Sequence, residues 1–459
     1  MKKGFVLFSM ALSCGSLLGS GLSNNTNQSA AYLRNPVRET AIAEDGVFYN
    51  PAGTAFLSNG IHVNVNWQMA YQNRDVTYDC PVFALGEGNT GASKTFRGKM
   101  MAPVIPSVFL TYNWDRWNIQ AGFNIVGGGG KCKYKEGVGM FELAVGQLMT
   151  GKDNKAEVIA KIQQQIPSFP PDAAMQYGMK MSLTGASYIY GVTLGTSYEI
   201  IKDHLSVSLG VRGVYMNNIY TGDVTNLAMN FSAVGIPPIK VNKSDNPKLG
   251  DLHLDCEQKG FGVTPMIGID YRINEHWNLS AKVEVQTYIN LKNKSSNSPM
   301  VDTLVSNYAD GKRVRNDLPT IFNISAEYSP ISAVRIGATY HYYDEKHAKK
   351  SADDYDSNKG THECAVGLDW DACKYITLSA GYTGSFFSQS DKEISELGYS
   401  LTSHNLHVGL RINCNEHWNL DLGYLHTFYT TRDVTKDEGY KLHFERTNDV
   451  LGIGVTCAY

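Results

Sequence analysis

Hydrophobic and polar residues alternate at every second position along much of this 459-residue chain, and the final segment shows the pattern best. Leu451, Ile453, Val455, Cys457 and Tyr459 fall on one face, and small residues lie between them. A β-strand sends successive side chains to opposite faces, so this segment is predicted to have a continuous apolar face ending on an aromatic. A soluble sandwich has edge strands of this kind, but the recurrence of the pattern favours a membrane β-barrel.

Further alternating tracts are separated by connections of two kinds. The tracts 61–71 and 277–286 match the roughly 9–11 residues that a tilted strand needs to cross a bilayer. Short turns on one side and long loops on the other are typical of outer-membrane barrels. We therefore expect an all-β fold, a transmembrane antiparallel β-barrel of about 14 strands. The long connections are 79–95, 128–180, 221–258, 293–315, 345–359, 389–397 and 432–440.

Composition excludes several other classes of protein. Hydrophobic residues make up 42% and charged residues 19% of the chain, the mean hydropathy is −0.26 and the formal charge is −3. No apolar run of eighteen residues occurs beyond the amino terminus, which excludes a helical membrane protein. The near-neutral charge and the lack of a basic run argue against nucleic acid as a partner. Residues 1–21, with a basic start, a short apolar run and small residues, are predicted to be a signal peptide.

No catalytic or metal-binding arrangement is recognisable. The chain has no G-x-S-x-G, H-E-x-x-H or Walker motif, and its cysteines lack C-x-x-C spacing. We expect no enzyme activity, no cofactor and no metal. Lys282, Glu284, Arg335, Arg411 and Asp421 are predicted to face the barrel lumen and to neutralise one another.

A helical segment interrupts the strand pattern at 139–166. Apolar residues recur there at three- and four-residue spacing, and Pro167, Pro170 and Pro171 end the helix. An amphipathic helix outside a barrel needs a cover for its apolar stripe, either packing within the loop or a hydrophobic ligand. The residues expected to contact such a ligand are Phe141, Leu143, Leu148, Met149, Ile159 and Ile162.

The most specific motif lies before the first strand, within the mostly polar stretch 22–60. Residues 41–57, AIAEDGVFYNPAGTAFL, resemble the FadL/TodX family of outer-membrane transporters for long-chain fatty acids and other hydrophobic compounds. The resemblance implies that 22–60 is a hatch inside a barrel spanning 61–459, and that Asn50, Pro51 and Ala52 belong to this hatch. Gly122, Gly127 and Gly128 lie on the predicted third strand, where glycine permits a kink and a lateral opening.

We therefore predict a multi-pass protein of the outer membrane of a Gram-negative bacterium. It is expected to take up hydrophobic molecules, either long-chain fatty acids or aromatic hydrocarbons, by passive diffusion from the external loop through a hatch-gated barrel with lateral release. The expected partners are this ligand, outer-membrane lipid and lipopolysaccharide, and the barrel-assembly machinery, with the chain as a monomer. A structural or surface-interaction barrel without transport is the first alternative, and a polar porin is the second.

Overall fold

A computed structural model describes residues 25–231, 239–240, 251–299, 306–349, 359–391 and 394–459, so the predicted signal peptide lies outside the described residues. The strands form one antiparallel sheet, and β1 pairs with β18 to close it into a barrel. The eighteen segments are β1 Gly60–Asp79, β2 Ser93–Trp114, β3 Trp117–Tyr134, β4 Gln176–Ile201, β5 Leu205–Asn230, β6 Ile239–Lys240, β7 Leu252–Arg272, β8 Trp277–Glu284, β9 Asn290–Ser295, β10 Arg313–Arg315, β11 Thr320–Ile331, β12 Val334–Asp344, β13 Thr361–Cys373, β14 Ile376–Phe387, β15 Ser403–Asn413, β16 Trp418–Tyr429, β17 Arg432–Thr435 and β18 Lys441–Ala458.

Four of the eighteen segments are short continuations of a neighbouring strand, which leaves fourteen strands around the wall. The segment β6 precedes β7 and pairs with β5 as β7 does. Similarly, β9 follows β8, β10 precedes β11, and β17 follows β16. The sheet is antiparallel throughout, because each hairpin joins strands that are neighbours in the wall. The predicted fold, a transmembrane antiparallel β-barrel of 14 strands, is confirmed.

Side chains alternate across the wall as the sequence pattern predicts. On β1, Ile61, Val65 and Trp67 are exposed on the outside, whereas Asn64 and Asn66 point inward and are buried. The outward apolar positions of all strands form the band that faces hydrocarbon. This is the architecture of a multi-pass outer-membrane β-barrel.

The short turns lie at one end of the barrel, which is the periplasmic end in outer-membrane barrels. Two of these turns contain a residue in the left-handed region, Asp115 with φ of 50° and Asp203 with φ of 63°, a conformation that Asp tolerates better than most residues. Trp117, Trp277 and Trp418 directly follow turns and are exposed on the outside. They form part of an aromatic girdle at this interface.

The helices lie at the opposite, external end. Strand β3 continues to Tyr134, so the connection to β4 covers 135–175 rather than the 128–180 expected from the sequence. It contains helices Gly139–Thr150 and Lys152–Gln165, here called α2 and α3. Among the described residues, no helix is long and apolar enough to cross a bilayer.

Residues 25–59, here called the amino-terminal segment, contact inward-facing side chains on several sides of the wall. The segment contains helix α1, Ala30–Arg34, and two 3₁₀ turns, Glu44–Val47 and Gly53–Phe56. Helix α1 packs on β14, β15, β16 and β18. A Cβ added to the inward glycines of these strands, or to those of β12 and β13, would strike residues 30–37 of the segment. We call these glycines the glycine belt; they are Gly337, Gly367, Gly381, Gly409, Gly423, Gly452 and Gly454.

The strand register yields a test of the lipid-facing side. Val283 pairs with Ile267 and Phe322, which are both exposed on the outside, so its side chain points toward the membrane. Val283→Arg is expected to lower the free energy of unfolding by about 2–4 kcal/mol, the cost of a cation near the bilayer midplane. The measurement is equilibrium unfolding in lipid vesicles.

The matched control is Ile331→Arg, which places the same side chain at the β11–β12 turn. It is expected to cost only about 0–1 kcal/mol, because the interface tolerates charge. Equal losses of stability in the two variants would contradict the assigned depth.

Candidate functional site

The barrel wall has a gap between β2 and β3. The two strands pair from Met101 opposite Lys131 outward to Gly98 opposite Tyr134, and again from Val108 opposite Phe123 down to the turn. Between these positions, residues 102–107 of β2 and 124–130 of β3 do not pair with each other. Pro103 and Pro106 lie within the unpaired part of β2, and neither can donate a backbone hydrogen bond. We call this break the wall gap.

The β3 side of the wall gap is irregular because of its glycines. Relative to β4, β3 carries an extra residue between Ile125 and Gly127 and another between Gly128 and Gly130. Gly128 has a φ of 68°, which side chains other than glycine rarely adopt. Gly122, which was expected to contribute to a kink, is paired regularly with both neighbouring strands and lies against Val47 of the amino-terminal segment.

The amino-terminal segment forms hydrogen bonds with both edges of the wall gap. Asn25 N donates to Val126 O at 2.7 Å, and Gln28 Nε2 donates to Ile125 O at 2.9 Å. On the other edge, Ser107 Oγ donates to Gln28 O at 2.6 Å. An unpaired backbone group in a membrane costs several kcal/mol. Residues 25–28 therefore bridge the two edges of the wall gap from the inside and satisfy two carbonyl groups of β3.

Buried ion pairs fasten the amino-terminal segment to the opposite side of the barrel. Arg34 contacts Asp369 through Nη1 and Asp421 through Nε, each at 2.8 Å. Asp421 also accepts two hydrogen bonds from Arg411. Removing one member of a buried ion pair costs about 3–5 kcal/mol, because its partner is left charged and unpaired. These contacts therefore hold helix α1 in place.

A second ionic contact involves a histidine between two carboxylates. His341 Nε2 lies 2.8 Å from Glu39 Oε1, and His341 Nδ1 lies 2.9 Å from Glu363 Oε1. Carboxylates accept hydrogen bonds, so both ring nitrogens carry protons and the ring is an imidazolium. Burial acts to raise the pKa of Glu39, but the charge and hydrogen bond of His341 outweigh it and hold this pKa below its usual value.

The lumen-facing charges neutralise one another as predicted. Lys282 Nζ lies 2.8 Å from Glu284, and it also donates to the backbone carbonyl of Phe48. Glu284 is bound by Arg212 as well, at 2.7 Å, and the Arg212 guanidinium stacks 4.7 Å from the ring of Phe48. Arg411 pairs with Asp421 at 2.8 Å, whereas Arg335 pairs at 2.7 Å with Asp371, which was not among the predicted residues.

The Asn50-Pro51-Ala52 motif lies against the wall on the side of β3, β5 and β7. Asn50 Oδ1 accepts a hydrogen bond from Gly53 N, which forms the turn, and its Nδ2 donates to Asp270 at 2.5 Å. Pro51 O accepts from Gln120 of β3, and Ala52 O accepts from Ser206 of β5. Each residue of the motif therefore contributes one tether to the barrel.

The external end of the lumen is filled by apolar side chains, here called the external cluster, which includes Tyr78, Phe96, Tyr177, Phe231 and Phe444. Helix α2 and the connections 80–92 and 394–402 also contribute to it. Of the six residues expected to contact a ligand, Phe141, Leu143, Met149 and Ile159 are buried in this cluster, Ile162 packs at its edge, and Leu148 is half-buried.

A second apolar cluster continues from the middle of the lumen to the wall gap. It combines residues of the amino-terminal segment with inward residues of the wall, and Val126 at the gap belongs to it. An inward apolar lining is unusual, because barrel interiors are commonly polar. We call it the middle cluster; its members are Tyr32, Val47, Phe48, Tyr49, Phe109, Val126, Ile189, Val214, Met216, Ile289, Leu291 and Leu318.

Two arginines lie side by side beneath the external cluster. Arg74 on β1 is directly opposite Arg446 on β18, and both side chains point inward and are buried. The Arg446 guanidinium stacks 4.4 Å from the ring of Tyr399 and donates to Tyr399 O at 2.9 Å. Within the described residues, Nε and Nη1 of Arg446 have no hydrogen-bond acceptor.

Two features of the site were not predicted, although the sequence contains signals for both. Pro103 and Pro106 in an otherwise regular strand marked a break in pairing. Arg74 alternates with inward residues of β1, so its lumen position followed from the register. Its neighbour Arg446 could not be recognised, because cross-strand pairing between the first and last strands is not encoded locally.

The described residues contain no group of three or more His, Cys, Asp or Glu that could hold a metal ion. At the periplasmic end, a polar cavity of about 430 Å³ lies between residues 40–43 of the amino-terminal segment and the turns after β7, β11, β13 and β15. Arg272, Glu327 and Arg335 are among the residues that line it.

No protein-family model matches the sequence, and no curated protein matches it. Solved structures do share its fold. A FadL homologue of Pseudomonas aeruginosa matches with a TM-score of 0.62 at 12% identity, over 95% of this chain and 99% of that chain. The toluene transporter TodX of Pseudomonas putida matches with a TM-score of 0.56 at 12% identity, over 96% and 97% of the two chains. The toluene transporter TbuX of Ralstonia pickettii matches with a TM-score of 0.53 at 10% identity, over 91% and 94%. The chain therefore has the fold of the FadL and TodX transporters.

Proposed function

We propose that this protein is a passive outer-membrane channel for hydrophobic molecules, with the amino-terminal segment as its hatch. The observation that carries the proposal is the wall gap, which residues 25–28 close by hydrogen bonds from inside the barrel. A hatch that withdraws from this position leaves a lateral exit into the membrane. The solved structures with the same fold include toluene transporters, which supports the proposal.

The apolar clusters supply the route. A ligand enters the external cluster between α2 and the loops, passes the middle cluster and reaches Val126 at the wall gap. Removing apolar surface from water contributes roughly 25 cal/mol per Å² to the free energy of binding. The contacts with the two clusters therefore favour a hydrophobic ligand along this path. Lateral release spares it an aqueous crossing of the periplasmic end.

Arg446 favours an amphipathic ligand that ends in a carboxylate. A guanidinium binds a carboxylate through two parallel hydrogen bonds, and Nε and Nη1 of Arg446 are buried without an acceptor among the described residues. A buried cation without an anion is costly. A bound carboxylate offsets this cost, whereas a neutral hydrocarbon does not. A long-chain fatty acid therefore fits the site better than a monoaromatic compound.

The two alternatives account for less of the structure. A polar porin needs a water-filled lumen, but apolar clusters and the buried amino-terminal segment occupy it. A barrel that only serves structure or surface interactions has no need for a gap in its wall. It also has no need for the two buried donors of Arg446 that have no acceptor among the described residues.

A reversible cross-link tests whether the hatch must move. The Cβ of Ala30 lies 3.2 Å from the Cβ position at Gly454, close to the roughly 3.5–4.5 Å found between the β-carbons of disulfides. Ala30→Cys/Gly454→Cys, with the exposed Cys364, Cys373 and Cys414 replaced by Ser, is expected to abolish uptake of a fluorescent fatty acid when oxidised. Reduction is expected to restore uptake.

The single variant Gly454→Cys is the matched control, because it displaces the Asn66 side chain in the same way without forming a cross-link. Normal uptake by the oxidised double variant would show that the ligand passes without movement of this part of the hatch.

A second test separates the ligand classes. Arg446→Met is expected to weaken binding of a fluorescent fatty acid at least tenfold, because a hydrogen bond to a charged group contributes about 1.5–3 kcal/mol. Binding of naphthalene is expected to stay unchanged, since it makes no use of the charge. Arg313→Gln, an exposed cation at the external end, is the control. A similar loss for both ligands in Arg446→Met would assign the arginine a packing role.

Access to the external cluster depends on a buried carboxylate. Glu396 Oε2 accepts hydrogen bonds from Tyr78 at 3.0 Å and from Met140 N at 3.1 Å, so it pins its loop to the first turn of α2. Burial raises the pKa of Glu396 to about 7, although these donors act to lower it. The folded loop therefore favours the protonated carboxyl.

A pKa raised on folding stabilises the docked loop at acidic pH, and this stabilisation is lost as the pH rises from the unfolded value of 4.5 to about 7. We expect the loop to resist protease better at pH 5 than at pH 8. Glu396→Gln is expected to show the same resistance at both pH values. A pH dependence that survives in Glu396→Gln would assign the effect to another group.

A further inference from the structure

A row of cations lies on the outer surface of the wall beside the wall gap. Arg97 and Lys99 on β2 and Lys131 and Lys133 on β3 all point outward and are exposed. Lys99 is directly opposite Lys133, and Lys131 occupies the last paired position before the gap. We call these four residues the cationic row.

The charges of the cationic row are poorly balanced by the protein. Directly opposed side chains have their Cβ atoms about 4.5–5.5 Å apart, so two lysines facing each other destabilise the sheet. The strands on either side add no compensating charge opposite the lysines. On β1, Asn73 pairs with Lys99. On β4, Ala186 pairs with Lys131 and Thr184 pairs with Lys133.

Only one cation of the row forms an ion pair within the described chain. Arg97 Nε lies 3.5 Å from Asp75, whereas Lys99, Lys131 and Lys133 form no ion pair there. The lysines could turn toward water separately, but their placement on adjacent strands concentrates positive charge at one spot. A multivalent anion held between them removes the repulsion.

The height of the row indicates where this anion comes from. On β1 the outward residues are apolar from Ile61 to Tyr71 and polar from Asn73 onward. Ten residues of a tilted strand rise by about 25 Å, the height of the apolar band of such barrels. Tyr71 pairs with Met101 at the upper edge of this band, and Asn73 pairs with Lys99 two residues further out. The cationic row therefore lies at the level of the lipid headgroups of the outer leaflet.

We propose that the cationic row binds the phosphate groups of a phosphorylated glycolipid in the outer leaflet. Lys99, Lys131 and Lys133 surround the phosphate, and the acyl chains lie against the outward apolar residues below, such as Met101 and Val104. The bound glycolipid stands directly above the outer mouth of the wall gap. The site is independent of what passes through the barrel.

The test is binding of purified full-length protein in detergent to bisphosphorylated lipid A, followed by native mass spectrometry. Lys99→Gln/Lys131→Gln/Lys133→Gln is expected to weaken binding roughly tenfold or more. Each lysine attracts the lipid phosphates even though salt screens part of this attraction, and the triple variant loses all three contributions. Lipid A from which both phosphates have been removed is expected to bind the wild type as weakly as the intact lipid binds the triple variant.

A charge-matched control changes three cations at the periplasmic turns, Arg116→Gln/Lys202→Gln/Lys374→Gln, and is expected to bind lipid A as the wild type does. The heat-dependent shift of the folded barrel on electrophoresis verifies that both variants fold. Inorganic phosphate at millimolar concentration is expected not to displace the lipid. Undiminished binding in the first variant, equal loss in the control, or full displacement by inorganic phosphate would each overturn the proposal.

Discussion

The structure depends on the requirement that backbone hydrogen-bonding groups be paired inside a bilayer. Most junctions between neighbouring strands meet this requirement by strand pairing, including the junction of β1 with β18 that closes the ring. At the interrupted part of the β2–β3 junction, Asn25 and Gln28 donate hydrogen bonds to two carbonyl groups of β3. The amino-terminal segment is thus a part of the wall as well as the content of the lumen.

The amino-terminal segment is positioned by electrostatic contacts in addition to hydrophobic packing. Arg34, Glu39 and Asn50 each reach a charged residue of the wall on a different side. Buried ion pairs contribute little net stability compared with apolar packing, because desolvation offsets much of the attraction. They do fix geometry, since each guanidinium or imidazolium has few alternative acceptors. A segment held in this way is precisely located and only moderately bound.

The sequence was sufficient for the barrel and for placing Lys282, Glu284, Arg411 and Asp421 in the lumen, because strand alternation with period two assigns each side chain to a face. It was not sufficient for contacts between distant parts of the chain. The opposition of Arg74 and Arg446, and the seating of Arg34 between Asp369 and Asp421, depend on which strands become neighbours. The glycines at 127–128 indicated an irregular strand, but only the pairing with β2 revealed how far the irregularity extends.

The glycine belt has a mechanical consequence for the helix that lies on it. Side chains on two packed surfaces usually interlock, so that one surface slides past the other only if rotamers change. Main chain without side chains offers no such interlocking, and the belt presents this smooth surface to residues 30–37 across β12–β18. Helix α1 therefore lies directly against the main chain of the wall at the belt. A side chain at a belt position would push the helix away from the wall and from its ion-pair partners.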